Sequence, residues 1–130
     1  MKSKLFFLML VFSLALSSCE KESDPPNYQI AGLWIGTYTV LSQPPLFFSF
    51  TIYPDGSLSY KSKGINGETF YANGTWTLTG NNFSYSVITV APVANQTGTA
   101  TYSNSGTLTN GTNTEVGSGL SGTFTMNRVN

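Results

Sequence analysis

From residue 30 onwards, apolar and polar residues alternate with a period of two, and this alternation constrains the fold more than any other feature. Successive side chains of a β-strand point to opposite faces, so the alternation indicates strands that bury one face. No apolar repeat of 3.6 residues follows Leu16, which predicts essentially no helix in this region. The pattern predicts eight strands, over residues 30–41, 46–53, 57–63, 68–79, 83–90, 97–103, 107–110 and 120–129.

The loops between the predicted strands have the lengths that the buried faces require. Paired residues share a face, so two strands with even-numbered buried residues need a loop of odd length. Gly80-Asn81 joins a strand whose buried residues have even numbers to one whose buried residues have odd numbers, which requires a loop of even length. The first of its two residues is the glycine that a type II′ turn favours. Three-residue loops that end in glycine join pairs of strands whose buried residues all have even numbers. These loops are Pro54-Asp55-Gly56, Ile65-Asn66-Gly67 and Asn104-Ser105-Gly106. We therefore predict an all-β, antiparallel up-and-down meander that closes into a small eight-stranded barrel, because closure removes unpaired edges.

The inward positions of this predicted barrel are mostly aromatic or small. The last strand is expected to bury Leu120, Gly122, Phe124 and Met126. An eight-stranded barrel holds either packed side chains or one small ligand. Small inward residues such as Gly74 and Ala100 either leave a void or complement the large ones. The candidate lining of a ligand cavity is Trp34, Tyr38, Phe50, Tyr60, Trp76, Tyr85, Tyr102 and Phe124.

Two interpretations of function stay open at this point. The domain either binds a small apolar ligand, or it is a surface interaction or structural module with a filled barrel and no ligand. In the second case its long loops, over residues 41–46, 91–96 and 111–119, are the candidate contact regions.

Charge and residue content exclude several other functions. Residues 28–130 contain no histidine and no cysteine, the residues most used for transition-metal sites and for activated nucleophiles. Their charges balance at three against three: Lys61, Lys63 and Arg128 against Asp55, Glu68 and Glu115. The three carboxylates fall at predicted turns or strand ends, where unshifted, solvated groups are expected. We therefore expect no enzymatic activity, no metal or other cofactor, and no nucleic-acid partner.

Residues 1–18 have the pattern of an export signal. Lys2 and Lys4 precede an apolar run that ends at Leu16 and, at about twelve residues, is too short to span a membrane. The run ends in Leu16-Ser17-Ser18-Cys19, which resembles the bacterial lipobox. The resemblance implies cleavage before Cys19, with diacylglyceryl and fatty-acyl (palmitate) groups attached to this residue. The alternative is an ordinary secretory signal followed by a chance cysteine, the only one in the chain.

Residues 19–28 are polar, acidic and proline-containing, which is typical of a flexible tether. With a barrel domain over residues 29–130, this predicts a lipoprotein of the outer membrane, at its periplasmic face or at the cell surface. The acidic residues after Cys19 resemble the surface-export signal of Bacteroidota lipoproteins, although an acidic tether is also simply well solvated.

Three short motifs resemble a known family. Gly32-Leu33-Trp34 resembles the G-x-W motif of lipocalins, and the runs 73–78 and 122–126 resemble the short lipocalin-like domains of Bacteroidota lipoproteins. The resemblance implies that Arg128 packs across Trp34 at the closed end of the barrel, as a cation–π pair. It also implies an open opposite end, where we expect a small, uncharged, largely apolar ligand.

Overall fold

The computed structural model describes residues 29–130, which form a closed barrel of eight antiparallel strands. Each strand pairs with the next in sequence, and the last pairs with the first, so the predicted meander is confirmed. Gln29 and Ile30 are helical, and no helix in the described range is long and apolar enough to cross a membrane. The predicted signal (1–18), the lipid site Cys19 and the tether (19–28) lie outside the described residues. The strands are β1 Gly32–Val40, β2 Leu46–Ile52, β3 Ser57–Lys63, β4 Thr69–Thr79, β5 Asn82–Thr89, β6 Asn95–Ser103, β7 Thr107–Glu115 and β8 Ser121–Arg128.

The four predicted turns have the expected backbone. Gly56, Gly67 and Gly106 have φ values of 90°, 86° and 84°, in the left-handed region that glycine adopts without strain. Each donates its amide hydrogen to the carbonyl three residues earlier, at 2.9–3.2 Å, as a type I turn followed by a bulge requires. Gly80 opens the two-residue turn with φ 59°. Local turn chemistry therefore fixes the strand registers.

The barrel has two different ends. The closed end carries the short turns β2–β3, β4–β5 and β6–β7. The open end carries four five-residue loops, over residues 41–45, 64–68, 90–94 and 116–120. At the closed end Ile30 is fully buried, and the indole nitrogen of Trp34 donates to its carbonyl at 2.8 Å. The residues before β1 thus plug this end of the barrel.

Arg128 and Trp34 are register partners across the β1–β8 seam. The guanidinium group donates from Nη1 to the carbonyl of Gln29 at 2.7 Å. Among residues 29–130 the cation–π contact is between Lys61 and Tyr71, with Nζ 5.8 Å from the ring centroid. The expected stacking of Arg128 on Trp34 is therefore replaced by a hydrogen bond that fastens the plug segment to β8.

Aromatic side chains fill the barrel interior from the closed end to its middle. The ring centroids of Phe48 and Phe50 are 4.8 Å apart, and those of Phe50 and Tyr85 are 5.0 Å apart, both with edge-to-face geometry. Phe124 packs on Phe48 in the same geometry at 5.3 Å. Such pairs contribute about 0.5–1.5 kcal/mol each beyond the burial of their area. The interior is thus a rigid aromatic cluster.

Glycines on the neighbouring strands make room for two of these rings. A Cβ at Gly98 would lie 2.5 Å from Cε1 of Tyr85, and one at Gly111 would lie 2.5 Å from Cδ2 of Phe124. Both glycines are register partners of the aromatic residue in question. A larger residue at either position would collide with its partner's ring.

The predicted end of the seventh strand is wrong. The alternation predicts a strand over 107–110 and a loop over 111–119, whereas β7 continues to Glu115. The register against β8 shifts between Leu108 and Gly111, and Asn110 there has φ 52°. Such a bulge moves the inward positions from even to odd numbers, so the buried residues are Leu108 and then Gly111. The alternation in the sequence breaks at this point although the strand does not.

Two further predictions need correction. Leu120 is expected to be buried, but it lies in the loop before β8 with 43% of its surface exposed. The loop that is predicted to extend to residue 96 ends at residue 94, because β6 begins at Asn95. The other strand boundaries differ from the prediction by no more than two residues.

Candidate functional site

A cavity of about 270 Å³ lies at the open end of the barrel, above the aromatic cluster. Its apolar wall is formed by residues from five different strands or loops: Val40, Phe48, Phe70, Pro92, Ala94 and Leu120. The rings of Tyr38 and Tyr60 complete this wall. The meander places these residues together because every second loop falls at the same end of the barrel.

A chain of hydrogen bonds crosses the barrel at the floor of the cavity. The hydroxyl of Tyr85 donates to Oδ1 of Asn113 at 2.7 Å, and Nδ2 of Asn113 donates to Oε1 of Gln96 at 3.0 Å. The hydroxyl of Tyr60 donates to the same Gln96 oxygen at 2.7 Å. These bonds hold the Gln96 amide in one orientation, and its Nε2 makes no hydrogen bond to the described residues. The cavity floor therefore offers an N–H donor in a fixed position.

Burial keeps the tyrosines around the cavity neutral. Desolvation raises the pKa of Tyr60 to about 12 and raises the pKa of Tyr85 well above its ordinary value. The pKa of Tyr38 is raised by burial and by the negative charge of Glu68, and its hydroxyl donates to the Lys63 carbonyl at 3.1 Å. All three therefore act as hydrogen-bond donors rather than phenolate anions at physiological pH.

The mouth of the cavity is shaped by the loop over residues 90–94. The Thr89 hydroxyl accepts a hydrogen bond from the Ala94 amide at 2.9 Å and also contacts the Pro92 carbonyl. This side chain ties the two strand ends together and holds the loop against the cavity.

The cavity has negative charge at its edge and no opposing positive charge. The half-buried carboxyl side chain of Glu115 lies in its lining, together with the buried Ser62. None of the described lining residues is a lysine or an arginine. An anionic ligand would find no counter-ion here, and burying an unpaired charge is costly.

Tyr38 and Tyr60 are the two predicted cavity residues that the structure places in the cavity wall. The other six lie in the packed interior or support the floor from below: Trp34, Phe50, Trp76, Tyr85, Tyr102 and Phe124. These six side chains point inward as predicted, but they are packed in the core and do not line the cavity. The barrel is thus filled at its closed end and hollow at its open end, so each interpretation of the interior describes one part of it.

The predicted cavity lining does not include the polar residues of the site. Ser62 and Gln96 occupy the next inward positions after Tyr60 in β3 and before Gly98 in β6, so the parity of the strands could have found them. Asn113 lies beyond the bulge in β7, where the parity is reversed, and no simple sequence signal marks it.

No protein-family model matches the chain, and no curated protein sequence is significantly similar to it. Residues 29–130 also contain no group of three or more histidine, cysteine, aspartate or glutamate side chains placed to hold a metal ion. The geometry of the cavity is therefore the basis for a proposed function.

Proposed function

We propose that this chain is a lipid-anchored cell-envelope protein whose lipocalin-like barrel binds a small, uncharged, mainly apolar molecule. The observation that carries the proposal is the open-end cavity, which combines an apolar wall with a polar floor. Ligand sites generally have this composition, in which apolar surface supplies affinity and a few polar groups fix orientation.

The size and chemistry of the cavity narrow the class of ligand. At about 270 Å³ it lies just below the usual range of roughly 300–1,000 Å³, so its ligand is small. The amide nitrogen of Gln96 is positioned to donate a hydrogen bond, and Glu115 disfavours an anion. The best fit is an aromatic ring or a short acyl chain that carries one carbonyl or ether oxygen.

The anchor is proposed from the sequence Leu16-Ser17-Ser18-Cys19. Residue 29 is at the closed end, so a tether from Cys19 would enter the barrel opposite the cavity mouth. We expect mass spectrometry of the purified protein to show an N-terminal Cys19 that carries fatty acyl groups. Replacement of Cys19 by Ala should release the protein from the outer-membrane fraction, and firm retention of that variant would contradict the anchor.

Ligand binding can be tested with the uncharged dye N-phenyl-1-naphthylamine, whose fluorescence increases in apolar surroundings. Because Trp34 and Trp76 lie in the core, dye fluorescence is a better measurement than tryptophan quenching. We expect saturable binding by the wild-type protein. Ala94→Phe should weaken it by about tenfold or more, because the new ring would occupy the cavity.

Ala91→Phe is the matched control, because it makes the same change in the same loop at an exposed residue outside the cavity lining. It should bind the dye as the wild-type protein does. Equal effects of both substitutions would place the dye elsewhere. No saturable binding by the wild-type protein would leave the interaction module with no ligand as the better interpretation.

A further inference from the structure

Six exposed aliphatic side chains surround the mouth of the cavity, and we call them the aliphatic crown. All four open-end loops contribute: Leu41, Ile65, Val90, Val93, Val116 and Leu120. Leu41 and Val93 are the most exposed, at 76% and 77%. Single exposed aliphatic residues are ordinary, but a ring of six around one opening indicates a contact surface.

The closed end does not repeat this arrangement. Its turns consist of Pro54-Asp55-Gly56, Gly80-Asn81 and Asn104-Ser105-Gly106, which carry no aliphatic side chain. Exposed apolar residues near that end, Leu33, Tyr53 and Val129, lie on or beside the strands rather than at turn tips. The crown is therefore specific to the end that holds the cavity.

Leu41 supplies a second observation. It has φ 54°, a left-handed conformation that is uncommon and unfavourable for a leucine. Its side chain is nevertheless mostly exposed, so the strain is not offset by burial within the described part of the chain. The turn in which the Gln43 amide donates to the Val40 carbonyl at 3.2 Å imposes this conformation, and glycine, asparagine or aspartate is more usual at such a position, so this leucine is presented at the loop tip at a cost in backbone strain.

We infer that the crown docks on the surface of a neutral lipid bilayer, with the cavity mouth facing the lipid. The four crown loops present aliphatic side chains, and the acyl chains of a bilayer are equally apolar. Their other residues are mainly glycine, serine, proline, alanine and asparagine, which place few charges against a membrane. Separate aliphatic tips around a hole suit a deformable surface better than a shaped protein partner.

The charges near the crown determine which lipids it meets. Glu68 lies in a crown loop, and Glu115 lies at the edge of the cavity. Lys63 also lies near this end, but its ammonium group donates to the Gly67 carbonyl and the Thr69 hydroxyl. Anionic lipids attract basic segments, and the crown loops contain no lysine or arginine. Zwitterionic headgroups are therefore the complementary surface.

The proposed tether allows this docking. In a lipid-anchored protein, the crown reaches the same membrane only if the tether runs back along the barrel. Ten extended residues span at most roughly 33–36 Å, whereas a nine-residue strand such as β1 is about 30 Å long. The tether is thus long enough. The crown itself is defined by residues 29–130 and does not depend on Cys19 carrying a lipid.

Depth-dependent fluorescence quenching can test the docked orientation. The full protein would carry a thiol-linked nitrobenzoxadiazole dye at Val93→Cys in the crown or at Asn104→Cys in a closed-end turn. Each labelled protein would be added to phosphatidylcholine vesicles that contain nitroxide-labelled lipid. Docking predicts quenching of the crown dye and not of the closed-end dye. Preferential quenching at position 104, or no quenching at either position, would overturn the inference, and the latter would favour a protein partner.

Crown and wall substitutions complete the test. In the Val93-labelled protein, Leu41→Ser with Val116→Ser should reduce the nitroxide quenching of the dye by about threefold or more, because less apolar surface enters the bilayer. Ile88→Ser removes a comparably exposed aliphatic side chain from the outer wall of β5 and should change nothing. Anionic phosphatidylglycerol should weaken the quenching of the crown dye, and stronger quenching on that lipid would contradict the inferred preference for neutral headgroups.

Failure of the anchor is distinguishable from failure of the crown. If the wild-type protein without an added cysteine takes up the dye, Cys19 is free and the anchor proposal fails. The orientation experiment would then be carried out in a Cys19→Ser background, and its outcome would still decide whether the crown docks on lipid.

Discussion

The ring of Tyr85 lies directly over Gly98, and this contact gives a sharp test of how the interior is packed. A methyl group at position 98 would lie 2.5 Å from the ring and 2.2 Å from the carbonyl oxygen of Thr112. The ring has little freedom to move, because its hydroxyl is hydrogen-bonded to Asn113 and the ring packs on Phe50 in edge-to-face geometry. Gly98→Ala must therefore displace either the ring or the β6–β7 pairing.

The expected cost follows from those two collisions. Overpacking of a core by a methylene group usually costs about 1–3 kcal/mol, and a simultaneous backbone clash places this site at about 3 kcal/mol. For a domain of this size, that lowers Tm by roughly 12–24 °C. Urea unfolding should show a lower midpoint with an unchanged m value. Displacement of Tyr85 should also weaken dye binding, since the cavity floor depends on its hydrogen bond to Asn113.

Gly117→Ala is the control, because a Cβ there meets no atom within 4 Å and the backbone conformation is ordinary. Its unfolding free energy should stay within about 0.5 kcal/mol of wild type or rise slightly. If Gly98→Ala is as mild as this control, the ring of Tyr85 does not lie over Gly98, and the reasoning about the interior is refuted.

Two further substitutions probe the plug and the cavity floor. Trp34→Phe leaves the buried Ile30 carbonyl without its donor and should lower the unfolding free energy, measured with urea, by about 1–3 kcal/mol. A loss below about 0.5 kcal/mol would show that the plug contributes little. Tyr60 has a folded pKa of about 12, above its unfolded value of about 10, so its neutral form stabilises the fold below pH 10. That contribution, roughly 3 kcal/mol at most, should disappear as pH rises from 10 to 12. Over this range the unfolding free energy of Tyr60→Phe should fall less steeply than that of the wild-type protein. Identical slopes would contradict the raised pKa of Tyr60.

The strands and turns could be predicted because their signals are local. Inward parity, loop length and the glycines at positions 56, 67, 80 and 106 must agree for a hairpin to form, and they do. The second half of β7 could not be predicted, because threonine, asparagine and glycine occupy both faces of Thr107–Glu115 beyond Leu108. Only pairing with β6 and β8 determines that this polar segment is a strand.

The site was harder to predict because the alternation shows which side chains point inward but not how far along the barrel axis each one lies. Tyr60 and Trp76 share the same inward parity, yet Tyr60 lines the cavity and Trp76 donates from Nε1 to the Tyr53 carbonyl near the closed end. Strand pairing assigns each residue to a level of the barrel, and a single sequence does not show these levels. The lipid site and the lipocalin-like identity rest on short motifs alone and stay predictions.

The β1–β8 seam also has a consequence for how quickly the barrel forms. Every other strand pair joins neighbours in sequence, whereas the bond between Arg128 and Gln29 spans 99 residues. Hairpins close within microseconds, but contacts between distant residues must overcome a larger loss of chain entropy. Until β8 docks, β1 and β8 are open edges that other chains can pair with. We therefore expect seam closure to limit the folding rate, and a newly synthesised chain to be most prone to aggregation just before the seam closes.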